Sequence, residues 1–342
     1  MGRPWEAIRN LVCWKPLILP GWRSVGLVGK CGFTWWDDGG GSAIGIRSRR
    51  EKQTRRNEFD DGSVPGRRIQ LIAIFKFPGS GHAMKLDLNC DLGEGEPLSR
   101  TRALMRWITS ANLACGGHAG NLRTMEECVR LARHLDVRLG AHPGTWDRGD
   151  FGRGSVRLMP DQLELLLLHQ VGALEQVARA NGVRLHHIKL HGALYHASEE
   201  NEVLAERYAA VVKRFWSKLK IYARAGGRVA PIARGAGLVV WEEAFADRAY
   251  RDDATLVPRN QPNALLTDAT IVVERVRQLS RAAEITCQSG KRIALRRPQT
   301  ICLHSDTPGA IQLVRAVAKA LQEARGTTPG GGNRIRRVDG RA

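Results

Sequence analysis

Residues 86–95 read Leu86-Asp87-Leu88-Asn89-Cys90-Asp91-Leu92-Gly93-Glu94-Gly95. Side chains alternate between the two faces of a strand, so Asp87, Asn89 and Asp91 share one face, opposite Leu86, Leu88 and Cys90. Two later segments repeat the arrangement. His187, Lys189 and His191 alternate with Ile188 and Leu190, and Cys302, His304 and Asp306 alternate with Ile301 and Leu303. Parallel strands are normally apolar on both faces, so lines of titratable groups are costly unless they converge on a solvated site.

Working outward, short apolar segments alternate with helical patterns from Met84 onward. Strands are predicted at 85–90, 110–115, 137–142, 184–190, 219–224, 238–243 and 299–304, with a short one at 292–296. Helical spacing is clearest in Leu122, Met125, Val129, Ala132, in Leu163 through Ala178, and in Ile311, Val314, Ala318, Leu321. About seven βα units in roughly 240 residues predict one (β/α) barrel over 84–324, with a loop insertion at 245–267. Residues 1–83 hold five of the nine Trp and no sustained period, and read as a poorly structured extension or a misassigned start. Residues 325–342 read as a flexible basic tail.

The net charge of +19 is uneven, since residues 1–83 carry 14 Lys/Arg against 7 Asp/Glu and residues 325–342 carry 5 against 1. No single element concentrates it, which argues against a nucleic-acid partner. The nearest candidate for a membrane span, Leu11 to Pro20, is broken by Lys15, Pro16 and Pro20, so no membrane span is expected. Seven cysteines without a C-x-x-C pair fit a reducing cytoplasm.

Histidines close the second and third predicted strands, in Cys115-Gly116-Gly117-His118 and Gly140-Ala141-His142-Pro143-Gly144. With His191, His304 and the carboxylates they gather at strand C-terminal ends, where barrel active sites lie. Glu94, just past the first strand, is an acid/base carboxylate or a solvated loop charge. His134, His169 and His196 are expected at the surface, and His186 is expected to be structural. Asp and His on neighbouring strand ends can hold a divalent ion, although no H-E-x-x-H occurs. P-loop, dinucleotide and G-x-S-x-G signatures are also missing.

Taken in order, the 86–95 run, Ser110-Ala111-Asn112-Leu113-Ala114-Cys115 leading to His118-Ala119-Gly120, the His142 motif, Phe151-Gly152-Arg153, Lys189 with His191-Gly192-Ala193-Leu194-Tyr195, Glu243 through Tyr250, and Cys302-Leu303-His304 with Asp306-Thr307-Pro308-Gly309-Ala310 resemble the LamB/YcsF family. The resemblance implies a barrel similar to the polysaccharide-deacetylase type. It also implies ATP-dependent hydrolysis of 5-oxo-L-proline to L-glutamate, with Mg assumed to accompany ATP and with B and C subunits as partners. On this reading Asp87, Asp91, Glu94, His118, His142, His191 and His304 are catalytic, and Asn89, Asn112, Lys189, Arg248 and Asp306 bind substrate. Any metal would fall to Asp87, Asp91, His118 and His142. The rival readings are a stand-alone metal-dependent deacetylase or amidohydrolase and a non-catalytic lactam-binding subunit. Departures include Gly117 for the family's usual Phe, Asn121 for Asp, and Leu190 for Pro.

Overall fold

Residues 86–296 and 298–324 are described by the computed structural model, so the expectations for the 1–83 extension and the 325–342 tail lie outside the described residues. Strands β1 (Asp87–Leu92), β2 (Ser110–Ala114), β3 (Arg138–His142), β4 (Leu185–Lys189), β5 (Lys220–Arg224), β6 (Val240–Phe245) and β9 (Thr300–Cys302) close a parallel barrel in that order. The seven-stranded (β/α) barrel is thus the fold observed. Strands β1 and β6 begin two residues later than the apolar runs suggest, because pairing sets the ends: Asp87 lies opposite Thr300, and Val240 opposite Ile221. The short strand expected at 292–296 exists as β8 (Arg292–Ala294). It stands outside the barrel, antiparallel to β7 (Glu284–Thr286).

Local sequence explains the surrounding helices. Helix α2 (Leu122–His134) starts in a capping box: Asn121 Oδ1 accepts from the Thr124 amide at 3.0 Å, and Thr124 Oγ1 accepts from the Asn121 amide at 2.8 Å. Asn121 therefore keeps the cap that the family's Asp would supply. Helix α2 buries Met125, Cys128, Val129 and Ala132 against the sheet, and α8 (Ala310–Ala324) buries Leu313, Val314, Val317 and Leu321. Asn201 caps α5 (Glu202–Phe215) by accepting from the Leu204 amide, and Asp268 caps α7 (Ala269–Ala282) by accepting from the Thr270 and Ile271 amides.

The apolar core lies between sheet and helices, whereas the lumen is polar. At its floor, Asp87 accepts from Ser110 at 2.8 Å, Tyr222 at 3.1 Å, Thr300 at 2.7 Å and Arg138 at 2.6 Å. In the middle, Asn112 Nδ2 donates to Asn89 and to Asp91, both at 2.7 Å, while Asn89 donates to Glu243 at 2.8 Å. The His187 ring stacks on Tyr222 at 3.8 Å. Gly140 makes room for it, because a Cβ there would stand 2.2 Å from His187 Nε2.

Candidate active site

The upper layer of the lumen opens into a cavity of about 670 Å³ at the strand C-terminal ends. Its inner wall carries Asp91, Glu94, His142, Lys189, His191 and His304; Arg153, Arg224, Arg248, Arg251 and Arg259 ring the outer part. The cavity is thus anionic and imidazole-rich inside and cationic at the mouth.

Lys189 projects from the end of β4 and is 2% exposed. Its Nζ lies 2.9 Å from Asp91 Oδ1, 3.1 Å from Glu243 Oε1 and 3.0 Å from Cys302 Sγ. Burial alone would drive the ammonium to shed its proton, but Asp91, Cys302 and Glu243 outweigh it and hold its pKa well above the usual lysine value. Burial likewise opposes ionisation of Asp91, yet His142 and Lys189 keep its carboxyl well below the usual range. Site charges are therefore fixed in opposed pairs.

His304, just beyond β9, presents Nδ1 to Asp247 at 3.0 Å, and its backbone amide donates to the same carboxylate at 3.0 Å. Thr307 Oγ1 adds a third donor at 2.6 Å. Although burial resists it, His304 and Thr307 bring the Asp247 pKa down to about 2. An ionised carboxylate only accepts, so His304 Nδ1 carries the hydrogen and its Nε2 is a basic lone pair aimed at the cavity, 3.9 Å from Asp91.

A second group assembles around Glu94, whose loop is held by the Glu96 carboxylate accepting the Gly93 and Glu94 amides at 2.7 and 2.9 Å. Glu94 Oε1 lies 3.1 Å from His118 Nε2, 3.2 Å from His191 Nδ1 and 3.7 Å from His142 Nε2. These four atoms all fall within 4.8 Å of one another, the spacing of a metal-ligand set. Burial pulls the His118 pKa down to about 4 and also lowers that of His191. His142 is raised, its burial being outweighed by Asp91.

Several expectations change with this geometry. Asp87 sits at the opposite end of the lumen, four residues and about 13 Å of strand below Asp91, tied into the floor network. That position removes it from the catalytic and metal groupings at the mouth. Asn89, two residues below Asp91 on β1, and Asn112, paired opposite Asp91 on β2, are fully buried and committed to lumen hydrogen bonds, so neither lines the cavity. Asp306 bridges Arg153 at 2.6 Å and Arg259 at 3.1 Å, orienting two mouth guanidiniums. His196, expected at the surface, lines the cavity, where burial and Arg248 lower its pKa to about 4. Arg248 is buried as a loop residue after β6: Nη2 donates to Val257 O at 2.6 Å, while buried Nε has no partner among the described residues. Burial and Arg259 lower its pKa to about 10.

Sequence reasoning missed Glu243 and Asp247. Both stand in the Glu243–Tyr250 run, and the parity that puts Glu243 in the lumen was readable from β6, but the Asp247–His304 pair joins residues 57 apart in sequence. Gly117 has a packing reason, since a Cβ there would stand 2.5 Å from the Gln170 amide, which itself bonds both the N–H and the C=O of Gly144.

Fold and site define a class: a seven-stranded (β/α) barrel with a buried histidine and carboxylate site at its C-terminal mouth. The LamB/YcsF family model matches residues 86–330, and the chain belongs to that family. It is 42% identical over 243 residues to proteins named as the A subunit of 5-oxoprolinase in Pyrococcus horikoshii and Pyrococcus furiosus, covering 70% of this chain and 95% of theirs. The crystal structure of a lactam utilization protein from Thermus thermophilus superposes with a TM-score of 0.66 at 37% identity, covering 70% of this chain and 97% of that one. Among the described residues, no helix is long and apolar enough to cross a membrane.

Proposed function

We propose that the chain hydrolyses the lactam of 5-oxo-L-proline to L-glutamate, coupled to ATP, as the A subunit of a 5-oxoprolinase with B and C subunits. The observation that carries this reading is one cavity holding Lys189, a buried Arg248 with an unused donor, and His304 backed by Asp247. The names borne by relatives matched along nearly their whole length support the same substrate.

The chemistry follows from the weakness of an amide as an electrophile. Transfer of the γ-phosphoryl group of ATP to the lactam oxygen turns that oxygen into part of a leaving group. Arg248 takes the substrate carboxylate as a charged donor, and Lys189 faces the oxygen on which negative charge develops. His304 Nε2 accepts a proton from the attacking water, and Asp247 stabilises the imidazolium that results. The proton then passes to the ring nitrogen as the C–N bond opens, leaving γ-glutamyl phosphate, and a second water displaces phosphate from its acyl carbon to give glutamate. The arginine-lined mouth suits phosphate oxygens, although the described residues offer no phosphate-cradling loop motif of the usual kinds.

Glutamate release from 5-oxoproline, measured with the full chain alone and mixed with B and C subunits, tests this reading. Release that requires both ATP and the mixture is the expected result. Release by the chain alone without ATP would replace it with a second reading, a metal-dependent amide hydrolase, which the Glu94, His118, His142 and His191 cluster favours.

A further inference from the structure

The hydrogen bonds around Glu94 turn two ring nitrogens and a carboxylate toward one point. His142 Nδ1 lies 2.8 Å from the Lys189 carbonyl oxygen, which only accepts, so that nitrogen carries the hydrogen and Nε2 is bare in the neutral ring. His191 Nε2 lies 2.8 Å from the Phe151 carbonyl oxygen, so its Nδ1 is bare by the same reasoning. The two bare nitrogens face each other at 3.0 Å, with Glu94 Oε1 at 3.7 and 3.2 Å and His118 Nε2 beyond it at 3.1 Å. Converging lone pairs and a carboxylate repel one another unless a cation sits among them. Protons on every ring are a poor solution, because His118 and His191 stack at 3.5 Å and two stacked imidazolium ions in a buried wall repel.

We propose that Glu94, His118, His142 and His191 bind a late first-row divalent ion of the Zn²⁺ or Co²⁺ type. Ligand bonds of about 2.1 Å in a tetrahedral site place donor atoms about 3.4 Å apart; the distances from Glu94 to the three rings and from His142 to His191 run from 3.0 to 3.7 Å, and all four donors lie within 4.8 Å of one another. Three imidazoles and one carboxylate select zinc-like ions over Mg²⁺ and Ca²⁺, which take oxygen ligands. The Lys189 and Phe151 carbonyls hold two rings by their far nitrogens, as outer partners of metal-ligating histidines do. This set shares His118 and His142 with the sequence expectation, and replaces Asp87 and Asp91 with Glu94 and His191. Glu94, His142 and His191 all reach the cavity, so a bound ion would face the substrate space and polarise a water or carbonyl there.

The inference stands on donor geometry, beyond the choice of substrate, and its test uses no substrate. Tag-free full-length chain, stripped with a chelator, is titrated with Co²⁺ alone. One ion per chain with visible bands of a four- or five-coordinate centre, displaced by Zn²⁺ and unmoved by millimolar Mg²⁺, is expected. Glu94→Gln and His191→Gln should each weaken Co²⁺ at least about tenfold. Should those variants misfold, X-ray absorption of the Co²⁺-loaded native chain decides, with outer-shell scattering from two or three imidazoles expected. No binding above that of free buffer, affinity unchanged in folded variants, or an oxygen-only coordination shell overturns the assignment. Failure of the glutamate assay leaves it intact, and glutamate release by metal-free chain leaves the lactam reading intact while removing any need for the ion.

Discussion

Replacing Lys189 by Met tests whether the site is built from opposed buried charges. Lys189 lies within 3.1 Å of two carboxylates, Asp91 and Glu243, whose side chains are 5% and 0% exposed. Methionine fills similar volume but strands both anions, and leaving a buried ion without its partner costs about 3–5 kcal/mol. For a barrel of this size that is a fall in Tm of roughly 6–20 °C, at about 2–4 °C per kcal/mol. The pH dependence has a fixed sign. The Asp91 pKa is depressed in the folded chain, so its stabilisation is present above the unfolded carboxylate pKa of about 3.9 and is lost as pH falls below it. The gap between native and Lys189→Met proteins should therefore be full at pH 7 and shrink below about pH 4. Chemical denaturation followed by circular dichroism at both pH values reads it. Adding Asp91→Asn to Lys189→Met should restore about 1–3 kcal/mol through the coupling of contacting residues. A loss under about 1 kcal/mol at pH 7, or a double variant no better than the single, refutes the argument.

Asp247→Asn removes the acceptor that fixes the His304 tautomer and should lower glutamate release about 10²- to 10⁴-fold with little change in substrate affinity. Because the Asp247 pKa falls to about 2 on folding, it contributes about 2 kcal/mol that is present above pH 4 and lost towards pH 2, a limb that should vanish from the acid-unfolding curve of Asp247→Asn. Arg248→Leu should weaken 5-oxoproline binding about 10- to 100-fold by calorimetry while leaving affinity for 2-pyrrolidinone, which lacks the carboxylate, within about twofold; equal losses for both would remove Arg248 from carboxylate recognition. Gly140→Ala should destabilise by about 1–3 kcal/mol or more in urea, since its Cβ collides with the His187 ring held between Asn112 and Tyr222; an unchanged midpoint would show the lumen to be softer than its contacts imply.

The barrel was readable because its evidence is local. Parity in 86–95 alone puts Asp87, Asn89 and Asp91 on one face, and the structure turns that face to the lumen for all three. What parity leaves open is height. A strand crosses the lumen from floor to mouth, and residues two apart on one face differ by about 7 Å in depth. Asp87 and Asp91 are therefore alike in pattern and opposite in place, one closing the floor with Arg138 and the other meeting Lys189 beneath the cavity. Residues brought by loops were harder still: Glu94 was recognised from its position past β1, but nothing in local spacing ties Asp247 to His304, or marks His196 as lining the cavity rather than the surface.

The polar lumen also links the interior of the barrel to its mouth. Asn112 receives a hydrogen bond from His187 at 2.6 Å and donates upward to Asp91, which in turn accepts from Lys189. Burial lowers the His187 pKa well below its usual value, so this ring stays neutral and adds no charge to the chain of contacts. A neutral His187 donating from Nε2 fixes Asn112, a fixed Asn112 orients Asp91, and an oriented Asp91 holds the Lys189 ammonium at the cavity floor. Hydrogen bonds in such a series polarise one another in a low-dielectric interior. The consequence is measurable far from the mouth: His187→Phe keeps the stack on Tyr222 but removes the donor to Asn112. Native-like melting with a drop in turnover is expected, whereas unchanged turnover would show that Asp91 and Lys189 hold their places without the layer beneath them.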